Sequence, residues 1–184
     1  MNDSEEKRLV RRVQRLGDRG AADALVRGRY DEIFRFVRRQ SPDGDSALDI
    51  TQEVFIGFLR TIRHYDPRKA GLRTWLYRIA ANKLTDFYRS RGRTLAAEPL
   101  ELADTEPVDG RDFTERVAEG ELAARVSDYV GNEPPDTQRI FRLHVWGERT
   151  FAEIAEILRL PESGVKTKYY RLIARLRKEF SDYE

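Results

Sequence analysis

The residues best suited to chemistry lie near the end of the chain. Lys166, Thr167, Tyr170, Arg171, Arg175 and Lys178 recur mainly at spacings of three and four, so a helix would gather them on one face. That face would present donors long enough to reach guanine edges and phosphates in a DNA major groove. Ser163 stands at the start of the same segment, where the free amides of a helix terminus favour a phosphate. The plainer reading is a solvated cationic face that binds nothing. A second polar stripe is formed by Arg78, Asn82, Thr85 and Arg89, with Trp75 beside it. Arg78 and Arg89 suit phosphate contact, whereas Asn82 can make paired bonds to a base edge. Tyr65 and Trp75 flank the loop at 66–71, and an aromatic there could stack an unpaired base. Burial in a core is the competing use of a helical tryptophan. Between these stripes, Asp49, Gln52, Glu53 and Arg60 surround Ile56, the pattern of an apolar anchor inside a polar protein contact. Single exposed apolar residues of ordinary surfaces look the same.

Catalytic chemistry has little support. The two histidines, His64 and His144, fall in different segments, and there is no cysteine to serve as nucleophile or thiolate ligand. No glycine-rich phosphate loop is present. Carboxylates are plentiful, but no pair is singled out. The expectation is a binding protein that is not an enzyme and holds no metal or cofactor.

Helices must position these side chains. Four segments carry apolar residues at helical spacing: Leu9, Val13 and Leu16; Leu25, Tyr30, Ile33, Phe34 and Val37; Ile50, Val54, Phe55, Phe58, Leu59 and Ile62; Leu72, Leu76, Ile79, Ala80 and Phe87. Turn chemistry at 17–20, 41–45 and 66–71 separates them. A helix at 122–130 is expected next, then one bearing Ile140, Phe141, Leu143 and Val145, with Asp136 as its cap after Pro134-Pro135. Thr150-Phe151-Ala152-Glu153 matches a capping box for a short helix carrying Ile154, Ala155 and Leu158. A tight turn at 160–163 follows, and Ser163 is expected to cap a long last helix through Phe180. On that helix Val165, Tyr169, Leu172, Ile173 and Leu176 share the inward side. Two helices joined this closely, the second basic outside, have the helix-turn-helix form.

Charge divides the chain in the same places. Of 184 residues, 36% are charged and the net charge is only +2. Residues 1–93 nevertheless carry 21 basic against 13 acidic side chains, and residues 94–124 carry 2 against 9. The acidic stretch contains Pro99, Pro107 and Gly110 and lacks an apolar period, so it reads as a linker. Basic modules joined by such a segment point to a polyanionic partner. The fold class expected is all-α: a helical domain at 1–93, an acidic linker at 94–120 and a helix-turn-helix domain at 121–184. The charged start and the lack of an apolar run near the roughly 20 residues of a membrane span lead to the expectation of a soluble, cytoplasmic protein.

Three motifs, in this order, resemble the extracytoplasmic-function sigma factors of bacteria. Asp49-Ile50-Thr51-Gln52-Glu53-Val54-Phe55 is similar to that family's polymerase-binding helix. Leu72-Arg73-Thr74-Trp75-Leu76-Tyr77-Arg78-Ile79-Ala80-Ala81-Asn82, with Asp86 and Arg89, looks like its promoter-melting helix. Phe151 to Leu158, followed by Pro161-Glu162-Ser163-Gly164-Val165-Lys166-Thr167-Lys168, looks like its helix-turn-helix. The resemblance implies a specificity subunit whose first domain grips the beta-prime coiled coil of core RNA polymerase through the face at 49–60. The same domain would recognise the minus-ten element, with the loop between Tyr65 and Leu72 holding a flipped base. The last helix would enter the minus-thirty-five major groove, the linker would follow the RNA channel, and an anti-sigma protein would occlude both domains, possible membrane tethering being the anti-sigma protein's property. Gly164, Tyr169 and Tyr170 depart from residues frequent in the family, which bears on base preference. A stand-alone helix-turn-helix repressor is the competing function, and a helical hydrolase the remote one.

Overall fold

The computed structural model describes residues 2–90 and 121–181, and all regular structure among them is helical. The linker expected at 94–120 lies outside the described residues. Contacts divide the chain into two units, Met1–Leu84 and Thr85–Glu184.

The first unit opens with α1 (Asp3–Leu16), α2 (Arg19–Arg38) and α3 (Gly44–Thr61), and a short 3-10 turn, Ile62–His64, follows α3. α4 runs Leu72–Ser90, its residues from Thr85 onward grouping with the second unit. Each start has a local cause. The Asn2 side chain accepts from the Glu5 amide at 2.8 Å, Asp18 from Ala21 at 2.9 Å and Asp43 from Ser46 at 2.6 Å, satisfying amides that have no partner within the helix. Gly17 ends α1 in the left-handed region at φ 62°, a conformation that burdens any residue with a Cβ. Leu9, Val10 and Val13 of α1, Leu25, Ile33 and Val37 of α2, Val54 and Phe58 of α3, and Leu72, Leu76 and Ala80 of α4 are all buried, and α2 packs against both α1 and α3. Leu16, expected on the apolar side of α1, instead points to solvent.

The second unit contains α5 (Glu121–Val130), α6 (Pro135–Val145), α7 (Phe151–Leu158) and α8 (Glu162–Glu179). Val126, Ile140, Phe141, Leu143, Trp146, Ile154, Leu172 and Leu176 fill its core. The start of α6 differs from expectation. Pro134 occupies the cap and Pro135 the first position, so Asp136 lies inside the first turn, 3.5 Å from Arg139. Pro135 sacrifices no bond there, because that amide would have lacked a helical partner. The capping box of α7 forms as expected: the Glu153 amide donates to Thr150 Oγ1 at 3.2 Å, and the Thr150 amide donates to Glu153 Oε2 at 2.8 Å. α7 has only eight residues, so its cap matters. Thr150→Ala should lower the stability of this unit by about 1 kcal/mol, measurable by urea denaturation; an unchanged midpoint would contradict it.

The turn into α8 holds Arg159 in the left-handed region at φ 57°, its amide bonded back to the Ala155 carbonyl. α8 then begins at Glu162 with Pro161 at the cap and no side-chain bond, so Ser163 is not the cap expected of it. Its carbonyl accepts from Thr167 Oγ1 at 2.9 Å within the first turns. Among the described residues, no helix is long and apolar enough to cross a membrane.

Candidate nucleic-acid and protein interfaces

α8 is two-sided because its apolar residues recur every three or four positions. Val165, Tyr169, Leu172, Ile173 and Leu176 are buried against the rest of the unit. Lys166, Thr167, Lys168, Arg171 and Lys178 are exposed. Ser163 is exposed at the amino end, and beside it a Cβ on Gly164 would meet open space. Lys166 lies 2.7 Å from Glu162, both about half exposed, a pairing weak enough in water to yield to a phosphate. Arg171 makes no ion pair among the described residues, which leaves its guanidinium available to a groove. Tyr170 is half-buried, its ring edge-on to Phe151 at 5.9 Å.

Arg175 departs from the sequence expectation. It pairs with Glu133 at 2.5 Å, and the Glu133 side chain is only 9% exposed. Burial raises the Glu133 carboxyl pKa, while Arg175 opposes that shift. Arg175 therefore fastens α8 to the 131–134 turn, and its helical position alone does not make it a DNA donor.

The platform beneath α8 is built partly from polar groups. His144 stacks on Phe151 at 4.4 Å and its Nδ1 lies 2.7 Å from the Arg149 carbonyl, while burial lowers its pKa. Arg142 is fully buried: Nη1 donates to Ser127 Oγ at 3.1 Å, and the guanidinium lies over the ring of Tyr88, which groups with this unit, at 4.4 Å. Burial pulls the Arg142 pKa down to about 10.

In the first unit, Trp75 packs rather than standing clear. Its ring stacks on Tyr65 at 4.8 Å and tilts against Phe58 at 5.6 Å. Tyr65 in turn donates its hydroxyl to the Ala70 carbonyl at 2.9 Å, closing the 66–70 segment into a ring, and burial raises its pKa to about 12. Along α4, Arg78 and Asn82 are half-buried and Arg89 is exposed, 3.9 Å from Asp86. Thr85 corrects the stripe read from spacing. It is buried at 2% exposure, so its hydroxyl offers no accessible contact in this conformation.

The face around Ile56 is a groove. Between α2 and α3 lies a cavity of about 360 Å³ lined by Val26, Tyr30, Leu48, Asp49, Gln52, Phe55, Ile56 and Leu59. Leu48 and Leu59 are 48% and 41% exposed, so Leu59 does not serve the core as its spacing suggested. Asp49 and Gln52 stand at the rim, both exposed. Glu53 lies away from the groove, bonded to Lys83 of α4 at 2.9 Å, and that bond holds its carboxyl below the usual range. Arg60 is exposed but does not line the cavity. Sequence reasoning missed Val26, Tyr30 and Leu48. Val26 and Tyr30 are four apart on α2, a signal that pointed to a shared face but not to what covers it.

One helical unit bears an apolar groove and an aromatic-flanked loop, and the other a helix-turn-helix with a cationic outer face, the form of many DNA-binding proteins. Comparison with known proteins specifies the class. The family model of Sigma-70 region 2 matches residues 25–94, and that of Sigma-70, region 4, matches residues 134–176. The ECF RNA polymerase sigma-E factor of Haemophilus influenzae is 30% identical over 173 residues, covering 90% of each chain. The ECF RNA polymerase sigma factor SigW of Bacillus subtilis is 28% identical, covering 96% of this chain and 97% of the relative. A solved structure of CnrH in complex with the cytosolic domain of CnrY shares the fold, with a TM-score of 0.63 at 20% identity over 98% of this chain and 99% of that one. This chain belongs to the ECF RNA polymerase sigma factors.

Proposed function

We propose that the chain binds core RNA polymerase through the α2–α3 groove and directs initiation at promoters read by α4 and α8. The observation that carries this reading is the coexistence of an apolar groove rimmed by Asp49 and Gln52 with an exposed cationic face on α8. An apolar centre with a polar edge suits a protein partner, and a helix presenting Lys166 and Arg171 suits a major groove. The groove would receive the beta-prime coiled coil, with the beta subunit near the second domain. Residues 1–93 would act as the core-binding and minus-ten domain, 94–120 as the linker and 121–184 as the minus-thirty-five domain. Bond formation stays with the core enzyme, so the chain works as a cytoplasmic specificity subunit without catalysis of its own. An anti-sigma protein is the expected regulator. The capture of CnrH by the cytosolic domain of CnrY supports a protein-partner mode for this fold.

Reconstituted transcription tests the proposal. Core polymerase with this protein should produce discrete starts in a genome-wide run-off assay, and an absence of new starts would refute it. Tight duplex binding without polymerase would instead favour a stand-alone repressor. Arg171→Ala should weaken recognition of the upstream element by about 2 kcal/mol if the residue reads a base. A competition assay across upstream-element variants checks this: relaxed preference at one position is expected, and uniform loss on all sequences would assign Arg171 to phosphate.

A further inference from the structure

We propose that Gln14 of α1 is a positioning residue for promoter opening, acting through the loop that carries Tyr65; this rests on the promoter-melting reading of that loop. Gln14 lies before residue 25, where the region 2 match begins, and no sequence pattern singled it out. Its side-chain Nε2 donates to two backbone carbonyls, Ile62 at 2.9 Å and Tyr65 at 2.7 Å. Two carbonyl acceptors require an amide nitrogen with two hydrogens, which among residues of this length glutamine supplies and glutamate does not.

Those carbonyls bracket the turn between α3 and the loop. The Tyr65 amide also bonds to the Ile62 carbonyl at 3.1 Å, so Gln14 completes a closed set of bonds across residues 62–65. Beyond it, Tyr65 continues the chain of constraint: its hydroxyl holds Ala70 at 2.9 Å, its ring stacks on Trp75 at 4.8 Å, and the Trp75 amide bonds to the Gly71 carbonyl at 3.0 Å. The loop is thus presented already shaped, fastened to α1 at one end and to α4 at the other. A preformed loop avoids the ordering cost otherwise charged to base capture. With both Gln14 bonds removed, Tyr65 gains freedom relative to Trp75, and capture of an unpaired base must restore the stack. Loss of two such bonds corresponds to about a tenfold effect.

The test uses holoenzyme assembled with the full-length chain and a promoter mapped from its own transcripts, labelled with 2-aminopurine in the minus-ten element. Gln14→Ala and Gln14→Glu should slow the fluorescence rise of promoter opening about tenfold while binding core polymerase as wild type does. A spectroscopic readout separates positioning from general weakening. Of the two tryptophans, Trp146 is 2% exposed and Trp75 is half-buried, so acrylamide quenching reports chiefly on Trp75 and should increase in both variants. Opening at the wild-type rate, or unchanged quenching, overturns the proposal while leaving promoter recognition intact. Loss of helix content and core binding in both variants makes Gln14 a folding residue and also overturns it. If the wild-type holoenzyme opens no promoter, the promoter reading falls and takes this proposal with it.

Discussion

Arg142→Ala should destabilise the second unit by about 4 kcal/mol and abolish its cooperative unfolding transition at moderate temperature. The side chain is entirely buried, so its truncation leaves a void where the guanidinium now lies between Ser127 and the Tyr88 ring. A cavity of side-chain size costs about 2 kcal/mol, because surrounding groups lose contacts that relaxation only partly restores. The rest comes from the Ser127 hydroxyl and carbonyl, both of which accept from Arg142. The Tyr88 hydroxyl lies 3.0 Å from that same Ser127 oxygen, so the loss spreads through a shared network. Arg142→Met provides the control. Methionine refills much of the volume and removes the cost of burying a cation, so it should recover about half of the loss. Calorimetry decides, and an alanine variant within about 1 kcal/mol of wild type would contradict both the cavity loss and the network's contribution.

Ile56→Glu should weaken binding to core polymerase about a hundredfold or more while leaving the fold intact. Ile56 is half-buried in the groove, alongside Leu59 and below the exposed rim residues Asp49 and Gln52. In free protein, a glutamate there can turn outward into water, so the cost to stability is small. In the complex it must either be desolvated without a partner or push the docking surface away. Interferometry with immobilised core enzyme measures the change, and circular dichroism checks helix content. Binding as tight as wild type would place the polymerase contact elsewhere. Gln52→Ala at the rim should cost far less, since rim groups remain wet in the complex.

The helices themselves were legible in the residues. Their apolar spacing marks each one, and Thr150 and Glu153 of α7 make the two bonds that a capping box requires. Local rules erred where two of them competed. At the start of α6, a proline at the first helical position displaced the carboxylate cap, and at α8 Pro161 took the place given to Ser163. Arg159 adopts a left-handed backbone without any glycine or asparagine to announce it, because the short turn between α7 and α8 leaves its geometry no choice.

Within the candidate sites the division has the same origin. Helical periodicity states which side chains share a face, and it correctly grouped Lys166, Thr167 and Arg171 on the exposed side of α8. It does not state which neighbour covers a face. Thr85 shares a stripe with Arg89 yet is buried, Arg175 shares one with Arg171 yet turns to Glu133, and Leu59 shares one with Phe58 yet faces solvent. By itself, then, the sequence determined an all-helical chain with a basic helix-turn-helix, because helix formation, capping and charge are properties of residues a few positions apart. Only the tertiary structure decided the groove between α2 and α3, the burial of Arg142 and the anchoring of Tyr65 by Gln14, because each requires partners from distant segments whose meeting depends on how whole helices pack.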